Sequence, residues 1–200
     1  MANAKSAMKR TVKPHAPKNA ESTQDRIFNA AKARFSQASF ESVGLRDIAG
    51  DAGVDAALVI RYFGSKEKLF RQIANQAFET DVLLQNGVES LPENTVHHLL
   101  STMDHGVRRN GYDPFRFLLC SISSPTAGPI LSESFERCFA KPLANALTGR
   151  LKNTRAALIS AYILGFALAR VALPMQEIDA RKRHRIGSLL GEALKNCVEE

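Results

Sequence analysis

Between Leu45 and Phe70 the chain reads LRDIAGDAGVDAALVIRYFGSKEKLF, and its starts and stops leave little choice of fold. Leu45, Ile48, Ala49 and Ala52 recur at three- and four-residue spacing, the period of an amphipathic helix. Gly53 follows, where a left-handed backbone ends a helix at no steric cost. Asp55 stands at an N-cap position ahead of a second helix, Ala56 to Phe63. Gly64 stops that helix and Ser65 caps the next, which opens Lys66-Glu67-Lys68-Leu69-Phe70. Two short helices across a glycine turn form a helix-turn-helix, the unit that lays its second helix in the major groove of DNA.

The segments on either side fit that unit. Residues 1–22 carry Lys5, Lys9, Arg10, Lys13, His15 and Lys18 with little to bury, so a disordered basic arm is expected, either a solvated tail or a source of extra phosphate contacts. Thr23 to Ala38 has the pattern of an amphipathic helix, capped by Ser22 or Thr23, with Arg34 at the edge of its apolar side. Ile27, Phe35, Phe40, Ile48, Val54, Val59, Phe63 and Leu69 are the expected small core of a three-helix unit, 23–70.

Beyond it, residues 71–200 read as further helices, giving an all-α chain. One helix is expected over Lys66–Gln85, shared by both halves, with a break at Asn86-Gly87 and Leu91-Pro92. Helices follow over Thr95–Arg109, Pro114–Ser123 (apolar nearly all round, hence buried) and Ile130–Leu147, where Pro142 implies a kink or a split. In the helix Thr154–Leu173, Ala157, Ala161, Gly165 and Ala169 stand four residues apart, a row that admits another helix closely. The helix Arg181–Val198 adds Ile186, Leu190 and Leu194. Two such helices per chain suit a four-helix dimer interface around a twofold axis. The run Arg181-Lys182-Arg183-His184-Arg185 reads as a solvated face.

Composition narrows the function. A net charge of +7 favours a polyanionic partner. Cys120, Cys138 and Cys197 are too far apart for metal-ligand spacing and read as buried, reduced thiols. His98 and His105 are two helical turns apart rather than one, so no metal is expected. A nucleophile elbow, a phosphate-cradling glycine loop and HExxH are all missing, which argues against an enzyme and gives no reason to expect a cofactor. No apolar run reaches the ~18 residues of a membrane span, and the N-terminus has no apolar signal core. A cytoplasmic protein without a membrane partner is expected.

Phe35, Leu45-Arg46-Asp47-Ile48-Ala49, Ala52-Gly53-Val54 and Tyr62-Phe63-Gly64-Ser65-Lys66-Glu67-Lys68-Leu69 together resemble the N-terminal domain of TetR/AcrR-type transcriptional regulators. The resemblance spans about Thr23 to Phe70, in order and at the expected spacing. It implies double-stranded operator DNA as partner, a homodimer, and a C-terminal helical unit that binds a small-molecule effector and usually represses. Arg46 would reach a phosphate or a guanine edge. Ala56, Ala57 and Leu58 would allow close approach to the groove and to thymine methyl groups, Ile60 and Arg61 would face the bases, and Tyr62 and Lys66 would clamp phosphates. The chain departs from the family at Leu58, where a threonine is common, at Ile60, where a tyrosine is, and at Gly44 in place of a Ser or Thr cap.

Candidate effector-pocket residues are Phe78, Met103, Phe117, Cys120, Phe135, Tyr162 and Phe166, with His98, His105 or Arg116 as polar anchors. They suit a hydrophobic or aromatic effector, and they would serve equally as core. An activator or less specific DNA binder of the same fold, and a ligand-binding protein that has lost DNA binding, are the rival readings.

Overall fold

The computed structural model describes residues 22–104, 111–173, 175, 178 and 180–199, without the side chains of 102–104 and 180. The expected basic arm, apart from Ser22, lies outside the described residues. Every regular element among the described residues is helical. In order these are α1 (Thr23–Phe35), α2 (Leu45–Ala52), α3 (Ala56–Phe63), α4 (Lys66–Ala77), α5 (Leu91–Asp104), α6 (Pro114–Ser121), α7 (Ala127–Phe135), α8 (Lys141–Ala146), α9 (Lys152–Val171) and α10 (Arg183–Val198).

Caps set the lengths of the first four helices. The Ser22 hydroxyl accepts the Asp25 N–H at 3.1 Å, the Asp55 carboxylate accepts that of Ala57 at 2.7 Å, and the Ser65 hydroxyl accepts that of Lys68 at 3.2 Å. Each satisfies one of the donors a helix start leaves open. Gly53 ends α2 at φ +63°, in the left-handed region expected from the sequence. At Gly44 the missing hydroxyl cap is replaced from the other side, because the Asp47 carboxylate accepts the Gly44 N–H at 2.9 Å.

The small core is aromatic. The Phe70 ring meets Phe35 and Phe40 edge-on, both at 5.1 Å, and Phe117 of α6 at 4.8 Å. All the residues expected there are buried except Val54, which is half-buried against them. The cluster does not stop at residue 70. It runs without a break through Phe117, Leu131 and Leu143 to Leu194, so the helix-turn-helix unit and the C-terminal helices share one apolar interior.

Several elements differ from the sequence reading. α1 ends at Phe35 rather than Ala38. α4 ends at Ala77, not Gln85, and the chain turns at Thr80–Leu84 before Asn86 and Gly87 take positive φ. On one continuous helix Phe78 and Leu83 would lie about 140° apart. The turn lets both bury, and Asn94 of α5 secures it by donating to the carbonyls of Leu83 and Gln85. Leu91-Pro92, expected as a break, instead begins α5, since a proline in the first helical turn loses no hydrogen bond. The helix expected over Ile130–Leu147 is split: a π-helical segment, Glu136–Ala140, separates α7 from α8, and Pro142 stands in the first turn of α8, where its missing N–H costs no bond. α6 is buried only at Phe117 and Ser121, and Ile122 just beyond it is exposed. Cys120 and Cys138 are half-buried, and only Cys197 is buried.

α9 and α10 bear most on assembly. By length and composition α9 could cross a membrane, unlike the expectation that no run was long enough, and a third of that stretch is buried inside the protein. The buried Arg155 holds its foot to α10, donating to the carbonyls of Arg150, Cys197 and Val198 and to that of Thr148. A cation there also meets the negative end of the α10 dipole. α10 lies along α5, where a Cβ on Gly187 would come within 3.0 Å of Leu100 Cδ1.

Candidate nucleic-acid interface

α3 stands on its caps with Val59 and Phe63 turned inward and its other side toward solvent. Ala57, Ile60, Arg61 and Tyr62 are exposed, Ile60 at 52% and Tyr62 at 45%. Ile60 and Tyr62 thus put apolar and aromatic surface beside the Arg61 guanidinium on the outer side of this two-turn helix. Arg46, at the start of α2, is exposed as well. Ala56 and Leu58 are half-buried and pack against the domain core, so each offers only part of its surface to a groove.

Lys66 has a structural role that the sequence reading did not assign. Its ammonium donates to the carbonyls of Phe40 at 2.8 Å and Val43 at 2.9 Å, and lies 4.2 Å over the Phe40 ring. These contacts tie the connection between α1 and α2 to the start of α4 and use two of the three ammonium donors. The pairing joins residues 26 and 23 apart, which no local pattern announces. Arg34, expected at a helix edge, forms a two-pronged pair with Asp51 at 2.5 and 2.7 Å that locks α1 to α2. The guanidinium holds the Asp51 carboxyl below its ordinary range.

The interface is coupled to the rest of the chain through α1 and α4. Ser36 Oγ, at the end of α1, accepts the Asp113 N–H at 3.4 Å and shares its one proton between the Lys32 carbonyl at 2.9 Å and the Asp113 carbonyl at 3.3 Å, and Asp113 caps α6. On α4, Arg71 pairs with Glu133 at 2.5 Å, and the Asn75 side-chain oxygen accepts from Arg137 at 2.5 Å.

Behind the end of α4 lies an open-sided cavity of about 340 Å³, lined from α1, α4, α5, α6, α7, the π-helical segment and α9. Phe78, His98 and Phe135 line it as expected, with Phe78 meeting Phe135 edge-on at 5.4 Å. The other expected pocket residues stand elsewhere. Phe117 is wholly buried in the shared core, and Cys120 directs its thiol to the Ser36 carbonyl at 3.7 Å. Arg116 is exposed, Tyr162 is exposed on the outer face of α9, and Phe166 packs on the core without reaching the cavity walls. The Met103 side chain and His105 lie outside the described residues. Walls the sequence reading missed include Lys32, Tyr112, Phe115, Leu118 and Phe139. Phe135 and Phe139, four apart and stacked at 5.3 Å, are the pair that helical spacing alone could have found.

The outer face of α9 is bare. Ala157, Ala161 and Gly165 are exposed and Ala169 half so, beside exposed Leu158, Tyr162 and Leu168. A Cβ on Gly165 would touch nothing within 4 Å. On α10 the expectation needs correction. Leu194 is fully buried, Leu190 packs on the core and Ile186 is half-buried, because this stripe covers α5 and α9 within the protomer. The exposed leucine of α10 is Leu189. Among the described residues no three His, Cys, Asp or Glu side chains gather where they could hold a metal ion.

Residues 27–73 match the family model described as bacterial regulatory proteins, tetR family. Residues 89–198 match the tetracyclin repressor-like C-terminal domain. The chain belongs to the TetR family. It is a DNA-binding transcriptional regulator by fold and domains. Solved structures agree on the fold. A TetR-family regulator from Streptomyces coelicolor superposes with a TM-score of 0.57 at 24% identity, covering 89% of this chain and 95% of its own. NalD of Pseudomonas aeruginosa, the secondary repressor of the MexAB-OprM multidrug efflux pump, gives a TM-score of 0.63 at 17% identity over 89% and 97%. Escherichia coli NemR in its reduced form gives 0.59 at 14% over 86% and 97%. No curated protein matches the sequence.

Proposed function

We propose that this regulator is a ligand-responsive homodimeric repressor, with residues 23–70 as the DNA-binding head and 71–200 as the effector-binding and dimerisation unit. The observation that carries the reading is the outward face of α3, with Ile60, Arg61 and Tyr62 exposed on a helix held by caps at both ends. Arg61 reads a guanine edge, Ala57 and Ile60 meet thymine methyl groups, and Arg46 and Tyr62 position the helix on phosphates. Two copies joined through the small-residue face of α9, with Leu189 of α10 beside it, present two such helices to half-sites about 34–36 Å apart. An effector in the cavity behind α4 lowers DNA affinity by its preference for the conformation whose heads miss that spacing, typically by ~1–3 kcal/mol. Localisation in the cytoplasm follows from that role.

Selection of genomic fragments by the purified protein near physiological salt tests the reading. Enrichment of one short inverted repeat is expected, together with a dimer in sedimentation that Tyr162→Glu converts to monomer. No enrichment above random fragments would reduce the head to a sequence-tolerant binder, and an unchanged mass for Tyr162→Glu would take α9 out of the interface.

A further inference from the structure

The cavity behind α4 is walled by rings and aliphatic side chains except at four positions, Lys32, Gln76, Glu79 and His98. Of these, Lys32 alone belongs to α1, a helix of the DNA-binding head. Its ammonium donates to Gln76 Oε1 at 3.0 Å and sits 4.3 Å over the Tyr112 ring and 5.6 Å from that of Phe28. The cavity thus has an aromatic interior, built around Phe78, Phe115, Phe135 and Phe139, and a cationic end supplied by the head.

We propose that Lys32 makes this cavity a receptor for aromatic anions and passes their binding directly to α1. The inference rests on the effector reading of the cavity and names the class of ligand and the residue that senses it. A ligand whose rings pack among the phenylalanines and whose carboxylate or sulfonate reaches Lys32 satisfies both ends at once. The Gln76 amide, beside the ammonium, offers a donor to a second anion oxygen. Glu79, the acidic wall residue, is exposed, where water and salt screen its repulsion.

The route to the DNA is short. Lys32 precedes Ser36 by one helical turn, and Ser36 is the residue bonded to Asp113 at the start of α6. Tyr112, Pro114 and Phe115 on either side of Asp113 line the same cavity. A ligand between Lys32 and these rings therefore bears on both partners of the α1–α6 junction. It needs no relay through α4 alone.

The test uses the full chain and two fluorescent probes that differ by one charged group, anilinonaphthalene sulfonate and neutral N-phenylnaphthylamine. Lys32→Met is expected to weaken the sulfonate about tenfold and the neutral probe less than about twofold, the difference expected of a charge-assisted contact. Lys32→Arg should restore sulfonate binding, and Leu118→Trp, which fills the cavity, should weaken both probes. Equal losses of the two probes in Lys32→Met, or sulfonate binding that ignores either Lys32→Met or Leu118→Trp, would overturn the proposal. Failure of both probes to bind the wild-type protein would instead remove the effector cavity itself. On DNA fragments the protein retains, the sulfonate should release more protein than the neutral probe, and equal release would overturn the coupling to α1.

Discussion

In the head, α1 to α3 end where their caps and glycines end them, and Phe35, Phe40, Phe63 and Phe70 fill the space between. In the C-terminal unit the helices are interrupted by a turn after α4 and a π-helical segment after α7, a cavity of about 340 Å³ stays open, and one face of α9 is uncovered. Both regions are helical and belong to one apolar cluster. They differ in what their irregularities do. The head fills its interior and turns one helix outward, as a surface that must match a rigid duplex requires. The other unit leaves room for a ligand and a second copy, and pays in exposed apolar surface.

The sharpest way to break that contrast is at its joint. Phe70→Ala removes the ring shared by Phe35, Phe40 and Phe117 and should cost about 3–5 kcal/mol. Chemical denaturation should show a single cooperative transition, because the core is continuous. Two separated transitions would mean that head and body are stable apart. Next in size is the outward face. Arg61→Ala should cost about 1–3 kcal/mol on the selected site and relax preference at one base pair. Equal losses on random DNA would make Arg61 a backbone contact.

Lys66→Met tests which region the lysine serves. Leaving the Phe40 and Val43 carbonyls without their donor should lower stability by about 1–3 kcal/mol. The slope of log affinity against log salt should not change, whereas a phosphate contact would lower it by about one. The smallest effect concerns the Arg34–Asp51 pair. Its pairing depresses the Asp51 pKa, so the stability it adds is present above the ordinary Asp value of about 4 and is lost as pH falls through the lower, folded value. Melting temperatures of the wild type and Asp51→Asn should differ at neutral pH and converge in acid. A constant gap would assign the pair no electrostatic part.

The two regions were also unequally legible. In the head, Gly53, Asp55 and Ser65 mark helix ends through hydrogen bonds that span two to four residues, so reading along the chain finds them. The same reading found the open row on α9. It gave Leu194 to a dimer interface and extended α4 by eight residues, because an apolar stripe does not say which neighbour will cover it. Tyr112, Phe115 and Lys32 were missed as cavity walls for the same reason, since they meet across α1 and α6.

Caps, breaks and periodicity are local, and from the residues alone they yield the all-helical class and the helix-turn-helix. Contacts between segments far apart in the chain decided the rest. Lys66 bonds to carbonyls more than twenty residues earlier, Arg155 to carbonyls more than forty residues later, and Leu194 disappears into a core assembled from both ends of the protein. A charged or apolar side chain states what kind of surroundings it needs, and only the packed chain selects which of several suitable surroundings it finds.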